Sequence, residues 1–316
     1  MKNWPGYEHG INFGGWLSQC RHTEAHYDSF IGADDFKKVA SWGLDHIRIP
    51  VDYDLFLAAD GTFLTDRFRY IDFAIAQCRI NGLNMILDLH RTPGFSFDPG
   101  VKENGLFELP ECQETFYRIW EELAKRYGKD TDCVAFELLN EVTAKEYSES
   151  WNRVADTCIK KIRAIAPDTD ILVGGYWNNS VEAVRDLGMP QDEHIVYNFH
   201  CYEPLLFTHQ GATWTEKIDP AKRMAYEESE TSEQYFEDLI ADAVAAAEKY
   251  HVPLYCGEYG VIDRVGGEDT LKWYRCIHSV LERHHIGRCA WTYRELDFGL
   301  TDARLDSVRG EILQCL

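Results

Sequence analysis

No stretch of this chain approaches the roughly 20 consecutive apolar residues that a membrane-spanning helix requires. Basic charge is scarce as well: 32 Lys and Arg stand against 53 Asp and Glu, a formal net charge of −21. A surface of that sign repels polyanions, so nucleic acid is not an expected partner. No CxxC pair occurs among the ten cysteines, which removes a zinc-ribbon framework. Several of them, Cys133, Cys201, Cys256 and Cys289 among them, lie inside apolar strand-like runs where a buried thiol behaves as a small hydrophobe. Nor does a GxGxxG loop follow the first strand-like run, because GINFGG at 10–15 has the wrong spacing for a dinucleotide fold. The first residues, MKNWPGYEHGINFGG, hold no signal-like apolar stretch. With the unpaired cysteine pattern, this sets the expected compartment as the cytoplasm.

Core-forming material is abundant: 45% of the 316 residues are hydrophobic and nine are Trp. Short β-like runs alternate with helical patterns from end to end. The runs fall at 9–15, 45–52, 83–91, 133–141, 170–177, 194–203, 252–260 and 287–293. Several are nearly continuous apolar stretches, as parallel strands covered on both faces require. Between them, helical spacing is read at 33–40, 68–81, 112–127, 151–165, 180–187, 232–250 and 269–284, with an abbreviated last helix at 308–316. Gly43, Gly82 and Gly128 read as stops. In 68–81 the apolar set is Ile71, Phe73, Ile75 and Ile80. Eight β–α units predict an α/β fold, a (β/α)8 TIM barrel forming one catalytic domain over 1–316. Two long segments, 92–111 and 204–231, follow strands and so extend the C-terminal mouth where barrel sites are built.

Polar residues gather at the ends of these strands: Arg48, His90, Asn140, Glu141, His200, Tyr202, Glu258 and Trp291, from six of the eight. A lone His or Arg in such a place is usually structural. Ionisable groups are costly to bury, and this many converging on one mouth point to chemistry. Glu141 and Glu258 sit on opposite sides of the barrel. Two carboxyls flanking one bond are what glycoside hydrolysis needs, one protonated to aid the leaving oxygen and one ionised to attack carbon. Arg48 and Tyr202 could donate to Glu258, the glycines of CGEYG leave its carboxylate room, and Trp291 could offer a flat face to a sugar ring.

The ordered motifs HIRIP, LDLH, FELLNE, YNFHCY, YCGEYG and AWTY, one per strand, resemble glycoside hydrolase family 5 of clan A. GINFGGW, FELLN, VYNFH, FTHQ and LYCGE are most similar to the clostridial cellulase C type of endoglucanase. The resemblance implies a retaining hydrolase of β-linked glucans, an endo-β-1,4-glucanase or a mixed-linkage β-1,3-1,4-glucanase acting on oligosaccharides, with Glu141 as acid/base and Glu258 as nucleophile; no cofactor is expected, and no H-x-H or HExxH spacing marks a metal site. It also implies that Asn140 bonds the 2-hydroxyl of the cleaved sugar and His90 the neighbouring one. Arg48 and Tyr202 would orient the nucleophile, His200 would stand beside the acid/base, and Trp291 would lie under the sugar before a cis bond to Thr292. The segment after FTHQ is shorter than in that relative, which leaves Phe207 and Trp214 either holding the loop or meeting the leaving group. A β-mannanase or exo-acting β-glucosidase suits the same scaffold. From other classes, a metal-dependent barrel isomerase or amidohydrolase would use His90, His200, Glu141 and Glu258 as ligands, and a non-catalytic carbohydrate-binding barrel would not turn over.

Overall fold

The computed structural model describes residues 1–98 and 105–316. Part of the first long loop, 99–104, therefore lies outside the described residues. Eight parallel strands close into a barrel in chain order: β1 (His9–Asn12), β2 (His46–Asp52), β3 (Asn84–Arg91), β4 (Val134–Glu137), β5 (Ile171–Val173), β6 (Ile195–Cys201), β7 (Leu254–Tyr259) and β8 (Gly287–Ala290). Closure is made by β8 on β1, with Ile11 opposite Ala290.

Alternate residues of a strand share a face, so the barrel interior can be read in layers. The lower layer is apolar: Ile86, Ala135, Leu172, Val196, Tyr255 and Cys289 pack together, and Trp4 and Tyr7 join them. Trp4 and Tyr7 stack with ring centroids 3.9 Å apart, and the indole Nε1 donates to Asp170 Oδ2 at 2.7 Å. Two residues further along the strands the interior turns polar. Asn12, Arg48, Asp88, Glu137 and Asn198 are all completely buried. This second layer is the floor of the cleft.

The outer helices follow the sequence pattern with local differences. Arg69–Asn81 ends at Gly82 in the left-handed region, φ 68°, where a side chain would be strained. Gly128 also closes a helix, Pro110–Tyr127, but in right-handed geometry. Its lack of a side chain matters for packing, since a Cβ there would stand 2.3 Å from Ala166 Cβ. Ile80 departs from the apolar face read for 68–81 and is 73% exposed, while Ile71, Ala74, Ile75 and Cys78 form the buried stripe. After the short turn Tyr176–Asn179, the fifth unit carries a 3₁₀ segment, Val181–Asp186, and the last helix is reduced to Arg309–Leu313.

Several strands are shorter than their apolar runs. β4 stops at Glu137, and β8 stops at Ala290. Beyond those points single backbone bonds to the neighbouring strands replace the regular ladder: Asn140 N–H donates to Leu89 O of β3, and Tyr293 N–H to Asn12 O of β1. Asn140, Glu141, Tyr202 and Trp291 thus stand just past the sheet ladder, on chain that bends over the mouth.

Candidate active site

Arg48 lies in the barrel interior within β2, below the mouth, and is the hub of the site. Its guanidinium forks onto Glu137, Nε to Oε2 at 2.6 Å and Nη2 to Oε1 at 2.9 Å. Nη1 donates to Asn12 Oδ1 at 2.9 Å and to Glu258 Oε1 at 2.7 Å. Nη2 also donates to Asn140 Oδ1 at 3.0 Å and lies 3.0 Å from Asp88 Oδ2. A planar fork with five donors suits this many acceptors, which an ammonium could not serve.

Glu258 Oε2 accepts from the Tyr202 hydroxyl at 2.9 Å. Burial pushes the Tyr202 phenol well above its ordinary value, so it stays a donor. Both donors that the sequence assigned to Glu258 therefore reach it, one on each oxygen. The neighbouring glycines serve other groups: a Cβ on Gly257 would meet Asn198 Oδ1 at 2.6 Å, and one on Gly260 the Trp291 carbonyl at 2.5 Å.

Glu141 has a different setting. Its Oε1 is 2.8 Å from His200 Nδ1, and its Oε2 accepts from Asn178 Nδ2 at 2.9 Å. Burial in the cleft wall raises its pKa above the usual carboxylate range, against the pull of Asn178, His90 and Arg48. Burial lowers the His200 imidazole to about 4, so this ring is neutral at neutral pH. Burial also lowers His90, whose Nδ1 is 2.6 Å from Asp88 Oδ2, leaving Nε2 toward the cleft. Trp291 runs parallel to the His90 ring at 6.0 Å, and its bond to Thr292 is cis.

One oxygen of Glu141, one of Glu258 and a nitrogen of His200 all lie within 4.8 Å of one another. These atoms line a cleft of about 600 Å³ together with His90, Asn140, Tyr202 and Trp291. Seven of the eight residues singled out from the sequence thus face one opening, and Arg48 supports it from beneath. A cation would fit this donor set badly, because the Arg48 guanidinium already sits 2.7 Å from Glu258.

The chain matches the cellulase (glycosyl hydrolase family 5) family model over residues 4–296. It belongs to that family. Cellodextrinase A of Ruminococcus flavefaciens is 52% identical over 279 residues, covering 88% of this chain and 83% of that one. Endoglucanase C of Acetivibrio thermocellus is 34% identical over 98% of both chains. Among solved structures, the cellulose synthase subunit Z of Clostridioides difficile superposes with a TM-score of 0.83 at 26% identity, covering 98% of this chain and 99% of that one. The protein is a glycoside hydrolase of the retaining β-glucanase kind, on the barrel its sequence pattern predicts.

Five contributors escaped the sequence reading. Asp88, Glu137, Asn12 and Asn198 carry a signal in hindsight: each lies an even number of residues from a recognised or inward-facing position in an otherwise apolar strand. Glu137 is held further by Asn198 Nδ2 at 2.9 Å. Asn178 carries no such signal, because a turn rather than a strand places it. In the long loop after β6, Phe207 is fully buried and holds the segment down. Trp214 is 37% exposed and lines the cleft.

Proposed function

We propose that Glu141 is the acid/base and Glu258 the nucleophile of a double displacement on short β-1,4-linked glucans of the cellodextrin class. The observation that carries the assignment is the close approach of two carboxylates held in unlike environments. In retaining enzymes the two carboxyls stand about 5–5.5 Å apart, and an inverting pair needs about 6.5–9.5 Å to admit a water. The facing oxygens here lie within 4.8 Å, which favours the retaining arrangement.

Glu141, whose protonated form burial favours, gives its proton to the glycosidic oxygen as Glu258 attacks the anomeric carbon. The first product leaves, and the remaining sugar is esterified to Glu258. Glu141, now ionised, takes a proton from water, which attacks the same carbon and releases Glu258 with net retention. Arg48 and Tyr202 hold Glu258 in its attacking orientation throughout. Trp291 offers the reacting sugar a flat apolar face, and Asn140 Nδ2 and His90 Nε2 are its hydroxyl partners.

The substrate class rests on the two curated relatives, one named a cellodextrinase and one an endoglucanase. It is supported by a cleft lined from loops on different sides of the barrel, Gln19 and Leu296 beyond β1 and β8 and Trp177 and Trp214 beyond β5 and β6. Such a cleft takes sugar units on both sides of the scissile bond. The buried thiols, Cys78, Cys158, Cys201 and Cys256 among them, support a reducing compartment, where soluble oligosaccharides are the accessible substrate.

The test is cleavage of cellotetraose and barley β-glucan, followed by product size and by the anomer first released. The β-anomer appearing first, with cleavage lost in Glu141→Ala and Glu258→Ala, is the expected result. The α-anomer first, or undiminished cleavage in Glu258→Ala, would overturn the assignment.

A further inference from the structure

The hydrogen bond from Asn178 to Glu141 comes from an unusual piece of backbone. Trp177, Asn178 and Asn179 all have left-handed φ, at 51°, 60° and 54°. Such conformations cost roughly 1–3 kcal/mol each for residues with a side chain and persist only where the surroundings fix them. Here the fixing contacts are visible. Asn178 N–H donates to Val142 O at 2.9 Å, tying the turn to the residue after Glu141. Asn179 N–H donates to Gly175 O at 3.1 Å, and its buried amide fills the space over Gly174, where a Cβ would lie 2.3 Å from Asn179 Oδ1.

The same turn reaches Glu141 twice. Asn178 Nδ2 donates to Oε2 directly. Asn179 Nδ2 lies 3.5 Å from His200 Nε2, the far nitrogen of the ring whose Nδ1 meets Oε1. With the Asn179 amide in this orientation Nε2 accepts, so the neutral ring carries its proton on Nδ1 and donates to Glu141.

We propose that Asn178 is a positioning residue for the acid/base: its side-chain amide, 2.9 Å from Oε2, fixes the Glu141 carboxyl in the orientation that protonates the leaving oxygen. This rests on the reading of Glu141 given above. The other charged or titratable groups facing Glu141 are His200 from β6, Glu258 from β7, His90 and Asp88 from β3, Arg48 from β2, and Tyr202 beyond β6. None of these changes when Asn178 is replaced, so the effect of its amide can be isolated.

The clean variant is Asn178→Gly, because glycine accepts the left-handed φ and only the amide is lost. Asn178→Asp keeps the shape, removes the donor and sets a second carboxylate beside Glu141, which raises the Glu141 pKa further. An acid/base defect depends on the leaving group: cellotetraose needs its departing oxygen protonated, whereas 2,4-dinitrophenyl β-cellobioside does not when the glycosyl-enzyme forms. Both variants are expected to lose about tenfold in kcat/KM on cellotetraose and less than about twofold on the dinitrophenyl substrate. In Asn178→Gly the alkaline limb of kcat/KM on cellotetraose is expected to move up by about one pH unit, because a bond to the charged form has gone. Equal losses on the two substrates, or an unmoved alkaline limb, would overturn the proposal. Glu141→Ala measured alongside separates the two readings. If it shows the leaving-group pattern and Asn178→Gly does not, the role of Asn178 fails alone; if Glu141→Ala lacks the pattern, the assignment of Glu141 fails with it.

Discussion

At the scale of single residues, the site is a distribution of one positive charge among several carboxyls. Arg48 bonds Glu137 and Glu258 and touches Asp88, all in the buried floor of the cleft. Burial pushes Asp88 up to about 7 against the pull of Arg48, so the floor does not carry three full negative charges at neutral pH. Removing the cation leaves carboxylates in a medium that cannot solvate them. Arg48→Met is therefore expected to cost about 3–5 kcal/mol of stability, read by urea unfolding, besides abolishing activity. Glu141 titrates in the opposite sense to a nucleophile. In the acid/base role proposed above its acid form acts in the first step, and its pKa is raised, so cleavage of unactivated oligosaccharides is expected to fall as pH rises through that value. The alkaline limb belongs above the ordinary glutamate range, and Glu141→Ala should remove it while lowering kcat on cellotetraose by about 10²–10⁴-fold. A limb that survives in Glu141→Ala would assign it to another group.

At the scale of elements, the question is how chain segments aim these side chains. Strand ladders place Arg48, His90, His200 and Glu258, and their alternation is written in the sequence. Segments past the ladders place Asn140, Glu141, Tyr202 and Trp291, and their bends depend on close approach between neighbours. Gly14, just after β1, is one such approach: a Cβ there would lie 2.8 Å from the Trp291 ring and 3.0 Å from Thr292 Oγ1. Gly14→Ala is expected to tilt the indole and raise KM for cellotetraose several-fold, with stability changed by no more than about 1–3 kcal/mol. An unchanged KM would show that the Trp291 ring accommodates the methyl group. Glu141 and Glu258 are legible as candidates because a recognisable motif surrounds each. Asn178 was illegible for the opposite reason: its φ of 60° is held by Val142 and by the packing over Gly174, and neither contact has a signature in neighbouring residues.

At the scale of the whole molecule, the barrel separates what keeps it folded from what makes it work. The lower interior is apolar and closed by Trp4 and Tyr7, and the upper interior is polar and open to the cleft. Trp4→Ala removes a stacked ring and the bond to Asp170 at the end far from Glu141 and Glu258. It is expected to destabilise by about 3–5 kcal/mol in urea unfolding while leaving kcat on cellotetraose within about twofold where the protein is folded. A large loss of kcat in the folded variant would mean that the two ends are coupled.

The sequence by itself determined the eight β–α units, the barrel they form and the identity of the residues at its mouth. Strand alternation and ordered motifs are local properties, repeated along the chain, and need no knowledge of which strand neighbours which. Only the tertiary structure decided the floor beneath the site, the left-handed turn behind Glu141, and which member of the β6 loop meets the cleft, Trp214 rather than Phe207. The floor and the turn depend on groups far apart in sequence, Arg48 with Glu137 and Asn178 with Glu141, meeting at a few ångströms. Barrel closure brings such groups together, and no window of sequence contains both partners.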